Sequence, residues 1–492
     1  MKLKYHKKPL ALSPILQKYS VRYTYKEALA LSDLPGELRD FLEKGKKPDF
    51  SAPSELPFGV EAKDVNHAFV ENGVTWIGTN VGAWRVDPSA YEKDRFMFFG
   101  VHKYMDEPEV LFLCSDKEGG AWLASKNQVV HVVFLNLTYR QKADYFDELT
   151  FKYISRRGMT VRAKPDKNGV YKGCCSDNDG LWTSMVAAAL CFRYAVTGEE
   201  TARRRATECV ENMLLLATIS GRKGYVDAKV RYSEPNSNRM SEKYLLKGRP
   251  DVRTIPEGGP CGMQTGYAGP ANPEDWATEG EPELVRRRIQ GFIARSYHVD
   301  SEDDPVPYSD GTFFRKVRNK EGKLVSIAQS LKTDDPVDID FTTEIDSSLP
   351  VPDRLARHYR NVINPKTGKG FGDDEIIYKA DTSTDELIGH FYAYAIAYKI
   401  LCTGENADLE LAQIFKDVMN DIAIHLVEND YCFTDAGGQA TSWGKMNPEY
   451  FTNPYAFEDC TLNSLVLLSG FKTAAYITGD PRWEAEYRKL AL

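Results

Sequence analysis

Four short stretches of this chain hold residues whose types and spacing suit chemistry. The densest is Asp381-Thr382-Ser383-Thr384-Asp385-Glu386-Leu387-Ile388-Gly389-His390-Phe391-Tyr392-Ala393-Tyr394. Glu386 and His390 lie four apart, so on a helix they share one face. Such a pair can work as an imidazole base with its orienting carboxylate. Tyr394 falls four residues further along the same stripe. Gly389 and the aromatics flanking His390 predict a buried or cleft-facing position rather than a surface ion pair. Thr382, Ser383 or Thr384 is expected to cap the helix, with Asp385 and Glu386 on its positive end. The Glu-x-x-x-His spacing lacks the second His of the zinc-protease motif, so no metal is expected.

The second stretch is Ser176-Asp177-Asn178-Asp179-Gly180-Leu181-Trp182-Thr183. Its carboxylates, amide and Trp at a helix mouth offer acceptors, donors and a stacking face for a sugar. Equally, Asp177 or Asp179 could cap the helix that follows. The Asp-x-Asp-Gly run hints at calcium, but the EF-hand spacing is absent. The third is Gly291-Phe292-Ile293-Ala294-Arg295-Ser296-Tyr297-His298, after a basic stretch, 284–289, that reads as a helix. Arg295 can clamp a carboxylate bidentately, and His298 and Tyr297 add a titratable ring and a phenol. The fourth is Asp435–Lys445, where Trp443 on a Gly-flanked loop suits sugar stacking or plain loop packing.

The rest of the sequence excludes several classes. There is no Walker loop, dinucleotide fingerprint, Gly-x-Ser-x-Gly elbow or Cys/His zinc cluster, and no cofactor is expected. With 63 Lys plus Arg against 71 Asp plus Glu, the net charge of −8 argues against general nucleic-acid binding. No apolar run is long enough for a membrane span. The basic N-terminus has no signal-peptide apolar region behind it. The nine cysteines (114, 174, 175, 191, 209, 261, 402, 432 and 460) are odd in number and lack CxxC spacing, which reads as reduced thiols in a cytoplasmic protein. A secreted protein with its signal removed would carry the same pattern. Self-association is left open.

These motifs need elements to position them. Residues 1–55 read as an extended arm with short helices at Lys26–Leu31 and Leu38–Lys44. Residues 56–145 are β-prone and hold two similar segments, one around Trp76 and one around Trp122. From 146 onward the pattern is helical. Three helix–Thr-Gly–helix hairpins are expected: 181–196 with 199–218, 385–401 with 409–427, and 463–477 with 481–490. Gly198, Gly404 and Gly479 are the stop signals, and Pro481 suits a first helical turn. The predicted class is mainly α, an α/α toroid, complete or partial, preceded by a small antiparallel β-domain. The polar stretches 221–284 and 299–375 read as long functional loops or as segments holding elements their pattern does not reveal.

The Trp76 segment, Gly73-Val-Thr-Trp-Ile-Gly-Thr-Asn-Val-Gly82, resembles the propeller repeat of bacterial two-component-regulator sensors. Two copies are too few to close a ring of blades. The four motifs together resemble a bacterial family in which such repeats precede an α/α-toroid module similar to polysaccharide lyases and glycoside hydrolases. The resemblance implies a lyase that removes rhamnose-linked glucuronate by β-elimination, acting on an acidic oligosaccharide or polysaccharide. On that reading Arg295, helped by Asn178, neutralises the sugar carboxylate. His390 or His298 takes the C5 proton and Tyr297, Tyr392 or Tyr394 protonates the leaving oxygen. Glu386 orients His390, and Trp182 and Trp443 stack on sugar faces. The rival enzyme reading is a glycoside hydrolase using two of Asp177, Asp179, Asp385 and Glu386. A third is a glycan-binding sensor without catalysis.

Overall fold

The computed structural model describes residues 15–23, 30–91, 94–101, 103–165, 170–176, 178–230, 283–299, 312–330, 344–438, 440–451 and 460–492. Its contacts divide into two units, one ending at Asp147 and the other running from Glu148 to Leu492. Asp177, residues 231–282 and helix positions 26–29 lie outside the described residues. Among the described residues no helix is long and apolar enough to cross a membrane.

The first unit is built from antiparallel strands. They are β1 (Ile15–Tyr23), β2 (Val65–Glu71), β3 (Val74–Thr79), β4 (Gly82–Val86), β5 (Phe96–Phe99), β6 (Phe112–Ser115), β7 (Ala121–Ala124) and β8 (Val129–Leu137). Two four-stranded sheets result, in the orders β2-β3-β4-β5 and β6-β7-β8-β1. The two similar segments put Trp76 on β3 and Trp122 on β7, the strand after the first of each sheet. Helix α1 (Gly36–Lys44) ends on Gly45 in the left-handed conformation, at φ 65°. The arm foreseen over residues 1–55 is not separate from the β-domain. Its strand β1 pairs along its whole length with β8, because an open sheet edge is satisfied by any extended segment in register. Helix α2 (Tyr139–Leu149) carries the chain onward.

The second unit mixes helices with small antiparallel sheets. Its helices are α3 (Asp179–Thr197), α4 (Glu200–Thr218), α5 (Asp353–Arg360), α6 (Thr384–Leu401), α7 (Leu409–Glu428), α8 (Cys460–Thr478) and α9 (Pro481–Ala491). All three hairpins form within a few residues of their expected bounds. Gly198 caps α3 at φ 72°, Ser383 caps α6 by accepting the Glu386 N–H, and Pro481 opens α9. Helices α3, α6 and α8 lie side by side and run the same way. The starts of α3 and α6 meet at Leu181 and Glu386, and the far ends of α6 and α8 meet at Tyr398 and Tyr476, ring centroids 5.8 Å apart. Their partners α4, α7 and α9 run back antiparallel. Leu214, Leu215, Tyr394, Phe415 and Phe471, all buried, belong to the core between them.

The polar stretches hold strands rather than loops alone. The basic segment expected as a helix is instead β14 (Glu283–Arg288), paired with β13 (Tyr225–Val230). Alternation of Arg side chains between two faces serves a two-stranded ladder as well as a helix, and pairing decided it. A five-stranded sheet joins Tyr297–Val299, Ile376–Lys379, Thr312–Arg318, Leu324–Ser330 and Ile345–Asp346, in that spatial order.

Candidate functional site

The N-terminus of α3 and the first turns of α6 approach closely because two glycines permit it. A β-carbon on Gly180 would sit 1.6 Å from Glu386 Oε1, and one on Gly389 would sit 2.9 Å from Leu181 Cα. Through this gap Glu386 Oε2 accepts the main-chain N–H of Leu181 at 3.2 Å, one of the orphan donors of a helix start. Glu386 Oε1 faces His390 Nε2 at 3.1 Å, and His390 Nδ1 lies 2.8 Å from the Tyr394 hydroxyl. Burial first, and the nearby Glu386 second, raise the Tyr394 hydroxyl well above its usual range. It stays protonated and donates to Nδ1, leaving Nε2–H to donate to Glu386.

His390, Glu386 and Tyr394 are therefore brought together as spaced, but away from solvent. All three are fully buried, and both ring nitrogens of His390 are engaged. Of the buried or cleft-facing positions expected for His390 the buried one is found, because Gly180 and Gly389 let α3 close over the ring. Tyr392 falls on the opposite face of α6 and is exposed. Tyr297 is also removed from the chemistry expected of it: it is buried, with its hydroxyl donating to Asn212 Oδ1 at 3.1 Å. His298 is buried, and its Nδ1 lies 3.0 Å from the Val299 carbonyl.

The other motifs gather around the same helix starts. Asn178, not an aspartate, occupies the cap position of α3, and its side chain makes no capping bond. Asp179 is the first helical residue. It accepts from the hydroxyls of Ser176 and Ser296 and from the Ser176 N–H, joining the second and third motifs. Burial lifts its pKa to about 6, against the pull of Arg156 and the serine hydroxyls. Arg295, buried, reaches Asp381 Oδ2 at 3.4 Å, and Lys379, also buried, approaches Asp381 Oδ1 at 4.0 Å. Asp381 itself is 41% exposed. The Ala436 N–H donates to Ala380 O at 2.7 Å, which brings the fourth motif alongside. Asp385 is exposed. Trp443 lies on the strand Ala440–Lys445, and its side chain falls outside the described residues.

Some of the buried polar atoms without a hydrogen-bond partner among the described residues belong to these motifs or their neighbours: Asn178 Oδ1, Arg295 Nε, Asp381 Oδ1, Thr382 Oγ1, Arg222 Nε and Thr434 Oγ1. Native interiors leave few such groups, and each asks for a function. Asn178 also lines a cavity of about 640 Å³, together with Thr160, Arg162, Ser176, Trp182 and Met185, among others. Trp182 is half exposed within it.

No known protein family, curated protein or solved structure matches this chain. The site is read from its own geometry.

Sequence reasoning missed Lys379, Arg222 and His425. Lys379 ends a buried strand two residues before Asp381, opposite Phe313 of the neighbouring strand. Arg222 donates to the Ala436 carbonyl, and burial lowers its pKa to about 10. His425 is buried, which lowers its pKa to about 3. The neutral ring bridges Gln290 O at 3.2 Å and the Thr434 N–H at 3.3 Å, tying two motif loops together. A larger cavity of about 740 Å³ lies by α4 and α5. Its charges are largely matched, as in Arg204–Glu208 and Arg357–Glu211, so it offers a ligand less than the motif site does.

Proposed function

We propose that this chain is a carbohydrate-active enzyme that cleaves a uronate-containing glycan by β-elimination. The helical unit is read as part of an α/α toroid, with α3, α6 and α8 as its inner helices. The observation that carries the reading is the meeting of four sequence-remote motifs at the buried Arg295, whose Nε keeps no partner. A buried guanidinium with one 3.4 Å carboxylate contact and a partnerless Nε suits an incoming carboxylate, which it can bind bidentately.

The three requirements of the reaction are then distributed as follows. Arg295, with Lys379 behind Asp381, offsets the charge of the substrate carboxylate and acidifies C5–H. Asp381, the reachable carboxylate beside Arg295, accepts the C5 proton. The C5–H electron pair forms the C4–C5 double bond, the C4–O bond breaks, and the departing oxygen takes a proton from solvent. Asn178 and Trp182 hold the sugar at the mouth of α3. His390, Glu386 and Tyr394 act as positioning residues that fix this mouth. Hydrolysis by Asp179 and Glu386 is disfavoured because both carboxylates are fully buried.

The test is incubation of the full chain with a panel of uronate oligosaccharides, following the short-wavelength ultraviolet absorbance of the conjugated, unsaturated product. A rise supports elimination. New reducing ends without it mean hydrolysis, and binding with neither signal means a sensor.

A further inference from the structure

Helices α3, α6 and α8 are covered on one side by α4, α7 and α9, and their other side is left bare among the described residues. On α3 the exposed residues are Trp182, Met185, Phe192 and Val196. On α8 they are Leu462, Leu465 and Tyr476, with Tyr392 of α6 between the two. These eight are 41–60% exposed. The spacing within α3 (three, seven and four) makes one continuous stripe, as does that of α8. Half-buried Ile388 and Ile396 extend the stripe of α6. Charge is scarce: Asp385 and Lys399 lie near the two ends of α6, and Lys472 on α8 is tied to Glu484 at 2.7 Å.

Area decides what such a face is for. At roughly half of the ~150–250 Å² that an aromatic side chain can bury, eight large side chains expose on the order of 700 Å² of apolar surface. The largest apolar patch of a soluble monomer is about 300–600 Å². A stable association buries about 800 Å² per partner. Trp, Tyr, Phe and Met are also the residues that interface cores favour, and charge is what they avoid.

We infer that this face docks a second copy of the chain about a two-fold axis parallel to the three helices. Two observations favour a second copy over another protein. First, α3, α6 and α8 are parallel, so a two-fold along their direction stacks the three helices of one copy on the three of the other and closes the contact on itself. Second, the two flanking stripes are alike in chemistry, so α3 of one copy meets α8 of the other apolar on apolar, while the exposed charges of the central α6, Asp385 and Lys399, stay at its two ends. Trp182 and Met185 also line the motif cavity, so the second copy would border that cavity. The inference does not rest on the glycan reading, because its readout is mass.

Sedimentation velocity of the full chain at about 10 μM should show a dimer. Phe192→Glu and Leu465→Glu should each weaken association at least 100-fold and give monomers. Both side chains are about half exposed, so each variant should keep its circular-dichroism spectrum. Should either fail to fold, Tyr392→Lys replaces it. The wild-type melting temperature should rise with protein concentration while those of the variants stay flat. A wild-type monomer at this concentration overturns the inference, whether the face is covered by other residues of the chain or by a different protein. A dimer that survives all the charge substitutions overturns it equally, by placing the contact elsewhere.

Discussion

Glu386 Oε2 accepts the main-chain N–H of Leu181 at 3.2 Å, a bond between residues 205 apart in sequence. The same carboxylate holds His390. One buried side chain thus anchors the start of α3, which carries Asn178 and Trp182, to the start of α6, which follows Arg295's partner Asp381.

Removing that anchor should cost stability before it costs chemistry. Glu386→Ala leaves the Leu181 N–H and His390 Nε2 buried and unpaired, a loss of about 2–5 kcal/mol. Glu386→Gln, which keeps an acceptor, should lose less. Urea unfolding of the two variants checks the order. Equal losses would mean that the hydrogen bonds are not what the carboxylate contributes.

Arg295 should matter to ligand more than to fold. Losing a charge-assisted bond to a sugar carboxylate costs about 1.5–3 kcal/mol, or about 10–100-fold in affinity. Calorimetric titration of Arg295→Met with a glucuronate oligosaccharide should show that loss, while the neutral-sugar analogue binds both proteins alike. Retained uronate affinity would remove Arg295 from the site.

Asp179 should make stability depend on pH. Its pKa rises from 3.8 in the unfolded chain to about 6 in the fold, chiefly through burial. The folded state therefore binds the proton more tightly between those values, and its stabilisation is present below pH 3.8. It is lost as pH rises through about 6, by up to about 3 kcal/mol. His425, with its lowered pKa, works in the opposite direction over an overlapping range. The comparison is accordingly wild type minus Asp179→Asn in urea unfolding from pH 4 to 7. A difference that does not change across that window contradicts the assignment.

Close packing of α3 on α6 should make Gly389 intolerant of a methyl group. A β-carbon there would meet Leu181 Cα and Ser184 Oγ at 2.9 Å each. Overpacking of this kind costs about 1–3 kcal/mol, although Ala is otherwise the better helix former. Thermal unfolding of Gly389→Ala measures it, and a raised melting temperature would show that the helices can part freely.

In the monomer, Trp182 should act on ligand rather than on stability. Half exposed, it contributes little to the core, so Trp182→Ala should leave the melting temperature of a charge-separated monomer such as Phe192→Glu within about 1 °C. Stacking is worth about 0.5–1.5 kcal/mol beyond area burial. Oligosaccharide affinity should therefore fall by about tenfold or more in tryptophan-free titration by calorimetry.

The sequence by itself determined the local elements. Helical periodicity, Gly stop signals and a cap within Thr382–Thr384 place six long helices within a few residues of where they lie, because capping and amphipathicity are settled over one or two turns. It also marked Arg295, Asn178, Asp381 and Trp182 as members of shared motifs. Only the tertiary structure decided which motif residues face a ligand. Spacing of four puts Glu386, His390 and Tyr394 on one stripe, but whether that stripe meets solvent or another helix depends on Gly180 and Gly389 admitting α3. The stretch 283–288 became a strand because β13 supplied a ladder for it, a partner more than fifty residues away. The pairing of Arg295 with Asp381 likewise joins residues 86 apart in sequence. Periodicity encodes which face of an element is apolar; which neighbour covers that face is set by packing across the whole unit.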